Sequence, residues 1–160
     1  MQSAVHAPGS VEDVLDRAGR VPPLTRFPTI DELQTAFAEL AAARPDLVRH
    51  RRIGTSRLGE PLHCYSVGDG AAQHLVVGGV HPNEPIGSHT ALYLAGELCA
   101  DDELRRALGA TWHIVPCIDP DGMRLNEGWF DGPFDRGHYS RHFYRPAPDE
   151  QVEWSFPFAY

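Results

Sequence analysis

One stretch restricts the possible folds of this chain more than any other: HLVVGGVHPNEPIGSHTALYLAGEL, His74 to Leu98. The continuous apolar run from His74 to Val80 has the length and composition of a strand, and is expected in a sheet interior covered on both faces. Two glycines and two prolines punctuate a short loop, after which Ala91, Leu94, Ala95 and Leu98 give the next segment one apolar helical face. A polar helical segment from Asp101 to Leu108 follows, and Thr111 to Ile118 supplies another strand. Strand, helix, strand in this order implies a right-handed crossover and a parallel pair. The chain therefore reads as α/β, with a mixed, mostly parallel sheet and helices on both faces.

The preceding residues divide at Thr29. Residues 1–28 carry prolines at 8, 22, 23 and 28 and one weak helical patch, VEDVLDRAG, so they read as a weakly structured N-terminal arm. Residues 29–160 form the main unit. Thr29 and Glu32 fit a capping box, and Leu33, Phe37 and Leu40 repeat at helical spacing up to Arg44-Pro45. Two strand-like runs, LVRHRRIG and PLHCYSVG, flank a turn at Leu58-Gly59-Glu60 and suggest an antiparallel hairpin at a sheet edge. Arg49, His50, Arg51 and Arg52 on the first run read as the solvated face of an edge strand or as a patch for an acidic ligand. Pro120-Asp121-Gly122 signals a turn, and from Met123 onward the periodicity is lost, which suits a long functional loop.

Composition excludes some functions. All fourteen cationic side chains are arginine and the net charge is −8, which argues against a nucleic-acid surface. No run approaches the ~18 apolar residues of a membrane span, and no secretory signal pattern is present. Cys64, Cys99 and Cys117 form no C-x-x-C pair and read as small buried apolar residues of a reducing compartment, so the expected location is the cytoplasm.

His81 and Glu84 carry the candidate chemistry. Nine histidines and ten glutamates in 160 positions give about 0.6 H-x-x-E pairs by chance, so the spacing alone decides nothing. Context adds weight: His81 ends a strand, Glu84 precedes a helix, and Pro82 and Pro85 stiffen the loop between them. An imidazole and a carboxylate so placed suit Zn2+, with room for a further ligand and a water. The plainer reading keeps Glu84 as an acid favouring the positive end of the following helix and His81 as a hydrogen-bonded loop residue. In open α/β sheets the ligand crevice lies outside the carboxyl ends of the strands, and the residues after Gly122 reach the same edge as His81.

From Thr29 to about Pro146 the chain resembles the zinc metallocarboxypeptidase family. The resemblance runs through ARPDLV, RRIGTSRLGEPLHCYSVG, GGVHPNE and VPCIDPDG, four blocks in the family's order, with Asp119 where the family usually has asparagine. It implies the N-terminal portion of a catalytic domain, with His81 and Glu84 as zinc ligands. RLNEG at 124–128 is similar to the family's Arg-x-Asn-x-x-Gly segment, shortened by one residue. That makes Arg124 the residue implied to polarise the scissile carbonyl, and Asn126 a substrate-binding side chain. SRHF at 140–143 is similar to Asn-Arg-Asn-Phe, which implies that Arg141 grips a substrate carboxylate, although Ser140 and His142 replace both asparagines.

The family's third zinc ligand, a histidine, and its general-base glutamate fall well beyond the span available before Tyr160. The fold is therefore expected to be incomplete and the chain a truncated form; His138 and His142 are the internal candidates for a third ligand. The implied activity is zinc-dependent hydrolysis of C-terminal peptide bonds. GGVHPNE also resembles aspartoacylase-like enzymes, whose substrates are N-acyl amino acids, and a non-catalytic binding domain is the third reading. In both enzymatic readings the partner is a small substrate with a free carboxylate, with no nucleic acid and no membrane.

Overall fold

The computed structural model describes residues 11–145. Residues 1–10 of the expected arm, and the aromatic run EWSFPFAY near the other end, lie outside the described residues. In chain order the elements are α1 (Val11–Gly19), α2 (Ile30–Ala43), β1 (Val48–Thr55), β2 (Pro61–Val67), β3 (Ala72–Val77), α3 (Ile86–Ala100), α4 (Asp102–Leu108), β4 (Ala110–Val115), α5 (Pro120–Asn126), a 3-10 turn (Glu127–Trp129) and α6 (Arg136–His142).

Local chemistry sets most of the boundaries. The Thr29 hydroxyl accepts from the Glu32 amide at 3.3 Å while the Glu32 carboxylate accepts from the Thr29 amide at 2.9 Å, so α2 opens with the expected capping box. Its Ile30, Leu33 and Phe37 are buried, each such side chain stabilising the fold by about 1.5–3 kcal/mol relative to exposure. Asp101 caps α4 by accepting from the Leu104 amide at 2.8 Å, and Gly109, at φ 57°, ends it in the left-handed conformation that glycine adopts without strain.

The sheet runs in the order β1-β2-β4-β3. β1 pairs antiparallel with β2, β2 antiparallel with β4, and β3 parallel with β4. The sheet is mixed, as expected, but two of its three pairings are antiparallel, a correction to a mostly parallel reading. β4 brings this about by inserting between the hairpin and β3. The registers align Val48, Val67 and Trp112 with His74 on one face, together with Tyr65 and Ile114. On that face α2 and α3 pack, enclosing Phe37, Ala91, Ala95 and Leu98 with Tyr65, Val67 and Ile114 in the core.

The opposite face carries Arg49, Arg51, His113, Leu75 and Val77. Among the described residues no helix closes over its β3 side, where Leu75 is 69% and Val77 38% exposed. The expected cover is thus missing beside β3 among the described residues, while Cys64 and Val115 on the same face are buried, and β3 is the edge strand of the described sheet rather than an interior one.

The expected loop after Gly122 is largely helical. Pro120 occupies the first helical position of α5, and Asp119 accepts from the Gly122 amide at 2.9 Å, so the Pro-Asp-Gly signal starts a helix instead of ending a strand in a turn. α6 is capped in the same way by Asp135, which accepts from the His138 amide at 2.8 Å. The N-terminal segment is anchored by an Arg17–Asp101 ion pair at 2.9 Å and by the Phe27 amide, which donates to the Phe130 carbonyl at 3.0 Å.

Candidate metal centre

The parallel pairing of β3 and β4 continues past both strands. The Gly78 amide donates to the Val115 carbonyl at 2.9 Å, and the Ile118 amide donates back to Gly78 at 3.0 Å. Gly79 follows at φ 60°, and a Cβ there would fall 2.4 Å from the Cys117 sulfur, so only glycine permits the two strand ends to close up. That approach delivers His81 and the start of α5 to one edge of the sheet. Burial pushes the Cys117 thiol up to about 12, which keeps it a neutral packing group beneath the loop.

His81 and Glu84 converge. The Glu84 amide donates to the His81 carbonyl at 2.9 Å, closing a turn that sets Nδ1 of His81 3.4 Å from Oε2 of Glu84. Two ligands of one tetrahedral zinc, with bonds of about 2.0–2.2 Å, stand roughly 3.3–3.5 Å apart, so the observed separation fits a shared ion. Both side chains reach solvent, at 40% and 58% exposure, which leaves the open side such an ion needs. Around the loop, Pro82 lies against Gly122 of α5, where a Cβ would come within 2.8 Å of the proline ring. Asn83, buried between the two candidate ligands, donates through Nδ2 to the Tyr139 hydroxyl at 3.1 Å.

The other site residues read from the sequence fare differently. Arg124, on α5, donates through Nε to Glu60 at 2.5 Å, and through Nη2 to Asp31 at 2.7 Å and Glu60 at 3.1 Å. These two carboxylates raise its pKa further above its ordinary value, and Asp31 is lowered in return. In this conformation Arg124 cross-links α2, the β1–β2 turn and α5.

Asn126 is held by backbone. It is fully buried, its Nδ2 donates to the carbonyls of Gly122 at 2.8 Å and Tyr144 at 2.9 Å, and its Oδ1 accepts from the Tyr144 amide at 2.9 Å. With its amide committed to backbone, it is a clamp between α5 and the segment after α6.

Arg141 lies exposed on α6 close to Asp135. His138 donates through Nε2 to the Gly128 carbonyl at 3.1 Å, and its ring lies tilted at 46° to that of His142, 4.6 Å between centroids. Among the described residues no three histidine, cysteine or acidic side chains gather as a metal-binding group, so neither His138 nor His142 joins His81 and Glu84. His113 is satisfied within the sheet, between Ser66 at 2.8 Å and Gln73 at 2.8 Å. Sequence reasoning passed over Asn83 and Tyr139; a polar residue between two proposed ligands was the available signal for the first.

The mixed α/β sheet with helices is of the class found in carboxypeptidases. The chain belongs to the zinc carboxypeptidase family, whose model matches residues 33–139. Among curated proteins it is similar to carboxypeptidase E of Caenorhabditis elegans, 30% identical over 110 residues that make up 61% of this chain and 23% of that protein. Carboxypeptidase SOL1 of Arabidopsis thaliana is 28% identical over 116 residues, 65% of this chain and 24% of that protein. The chain thus spans about a quarter of the length of these relatives.

Solved structures share the fold. Bovine thrombin-activatable fibrinolysis inhibitor, in complex with tick carboxypeptidase inhibitor, superposes with a TM-score of 0.60 at 19% identity, covering 68% of this chain and 36% of that one. Carboxypeptidase A from Helicoverpa armigera gives 0.59 at 18% identity, covering 81% and 35%.

Proposed function

We propose that this chain is the N-terminal part of the catalytic domain of a zinc metallocarboxypeptidase that hydrolyses C-terminal peptide bonds. The observation that carries the reading is the 3.4 Å convergence of His81 Nδ1 and Glu84 Oε2 at the strand edge. These two residues would hold the zinc, which when bound supplies an acidified water and polarises the scissile carbonyl. Arg141, at the exposed end of α6, would take the substrate's terminal carboxylate through a two-pronged ion pair. Arg124 would meet a developing oxyanion through the guanidinium N–H groups that Asp31 and Glu60 leave over, or by releasing one of those carboxylates. The third ligand and the general base would come from polypeptide beyond these 160 residues, a reading supported by the uncovered Leu75 and Val77 on β3.

Zinc content of the purified protein tests the ligand assignment. The wild type is expected to retain more zinc than His81→Ala, and equal sub-stoichiometric zinc in both would refute it. A longer reading frame supplying a downstream histidine and glutamate is expected to release C-terminal residues from peptides. Deacylation of N-acyl amino acids in their place would move the chain to the aspartoacylase-like reading. A full-length product inert toward both substrates would make it a non-catalytic binding domain.

A further inference from the structure

We propose that Tyr139 is a positioning residue for the His81–Glu84 pair, its hydroxyl holding the buried amide of Asn83 and through it the loop that carries both side chains. The inference rests on the reading of His81 and Glu84 as zinc ligands. Asn83 stands between them in sequence, is 9% exposed, and meets Tyr139 from 56 positions away at 3.1 Å. The contact survives either orientation of the amide, because a phenolic hydroxyl both donates and accepts.

Tyr139 is itself well fixed. Its ring meets Trp129 edge-on at 5.1 Å and Phe143 at 5.5 Å, and Trp129 in turn packs on Phe27 at 5.4 Å and Phe130 at 5.2 Å. The loop is bracketed by this aromatic cluster through Asn83 and by the bare backbone of Gly122 against Pro82. His81 and Glu84 are too exposed for their own packing to fix their separation. The Glu84 amide on the His81 carbonyl closes the turn between them, and the residues inside that turn seat it on the rest of the fold; Tyr139 supplies the hydrogen bond to the Asn83 side chain. Groups that orient metal ligands typically change metal affinity by about 10–100-fold, and Tyr139, acting at one remove, belongs at the lower end of that range.

Zinc titration of the 160-residue chain by calorimetry, with thermal unfolding measured in parallel, tests this. Tyr139→Phe is expected to weaken zinc binding by about tenfold and to lower the melting temperature by no more than a few degrees. Asn83→Ala is expected to weaken it similarly, and the double variant no further, because both break one contact. Wild-type zinc affinity in Tyr139→Phe, with zinc lost in His81→Ala, would overturn the positioning role and leave the metal site standing. A lower melting temperature with unchanged affinity would make Tyr139 a purely structural residue and overturn it equally. Wild-type affinity in His81→Ala would remove the metal site, and this inference with it.

Discussion

Replacing Asn126 by alanine separates a clamp from a substrate contact. The side chain is completely buried and makes three hydrogen bonds, all to backbone: to Gly122, and to both the carbonyl and the amide of Tyr144. Each such bond contributes about 0.5–1.5 kcal/mol net, so Asn126→Ala should destabilise the chain by about 3 kcal/mol. For a chain of this size that is a fall in Tm of roughly 6–12 °C. Asn126→Asp is the harsher change despite its equal size, since it removes both donors, sets carboxylate oxygens against two carbonyls and buries a charge. Urea and thermal denaturation followed by circular dichroism read both effects. A loss below about 0.5 kcal/mol for Asn126→Ala, the range of ordinary surface substitutions, would refute the clamp and reopen a role at the substrate.

Other expectations follow from the same contacts. Arg124→Met should cost about 1–2 kcal/mol at low ionic strength, mostly through the half-sheltered Glu60, with part of the loss disappearing in high salt. Hydrogen bonding to Arg26, then to the Thr29 amide, lowers Glu32 to about 2 from an ordinary 4.5, so its contribution is fully present above pH 4.5 and fades as pH falls toward 2. Unfolding curves between pH 6 and pH 3 should therefore show a shallower acid loss in Glu32→Gln than in the wild type. Cys64, Cys99 and Cys117 are all buried, and burial raises the pKa of Cys99 and Cys117, so iodoacetamide at pH 8 should leave them unlabelled until denaturant is added. Rapid native labelling of Cys117 would contradict its place beneath Gly79.

The parts of the fold legible in the sequence are those fixed by neighbours in the chain. The Thr29–Glu32 box announced α2, and the Gly59 turn, at φ 100°, announced the β1–β2 hairpin. β3 was misplaced because an apolar run reports that a strand is apolar, not which strands flank it; its position depends on β4, synthesised after two intervening helices. Beyond Gly122 the failure was one of periodicity. α6 is seven residues of alternating polar and aromatic type with no apolar stripe, and it is held by Asp135 at its start and by Tyr139 against Trp129. At the site, the His81–Glu84 spacing is local and could be read. The burial of Asn126 and the partners of Arg124 arise from segments 18 to 93 positions distant, which no motif encodes.

The place of β4 has a consequence for the order in which the molecule can assemble. Before Ala110–Val115 leaves the ribosome, the β1–β2 hairpin and β3 have no hydrogen-bonded connection, because β4 alone pairs with both. Synthesis at about 5–20 residues per second leaves β3 waiting several seconds, an unpaired apolar segment with α3 as its only nearby shelter. A ribosome stalled short of β4 would hold two disconnected pieces of a sheet. The arrival of six residues, ATWHIV, joins them, and in the same step brings the start of α5 against the loop that carries His81.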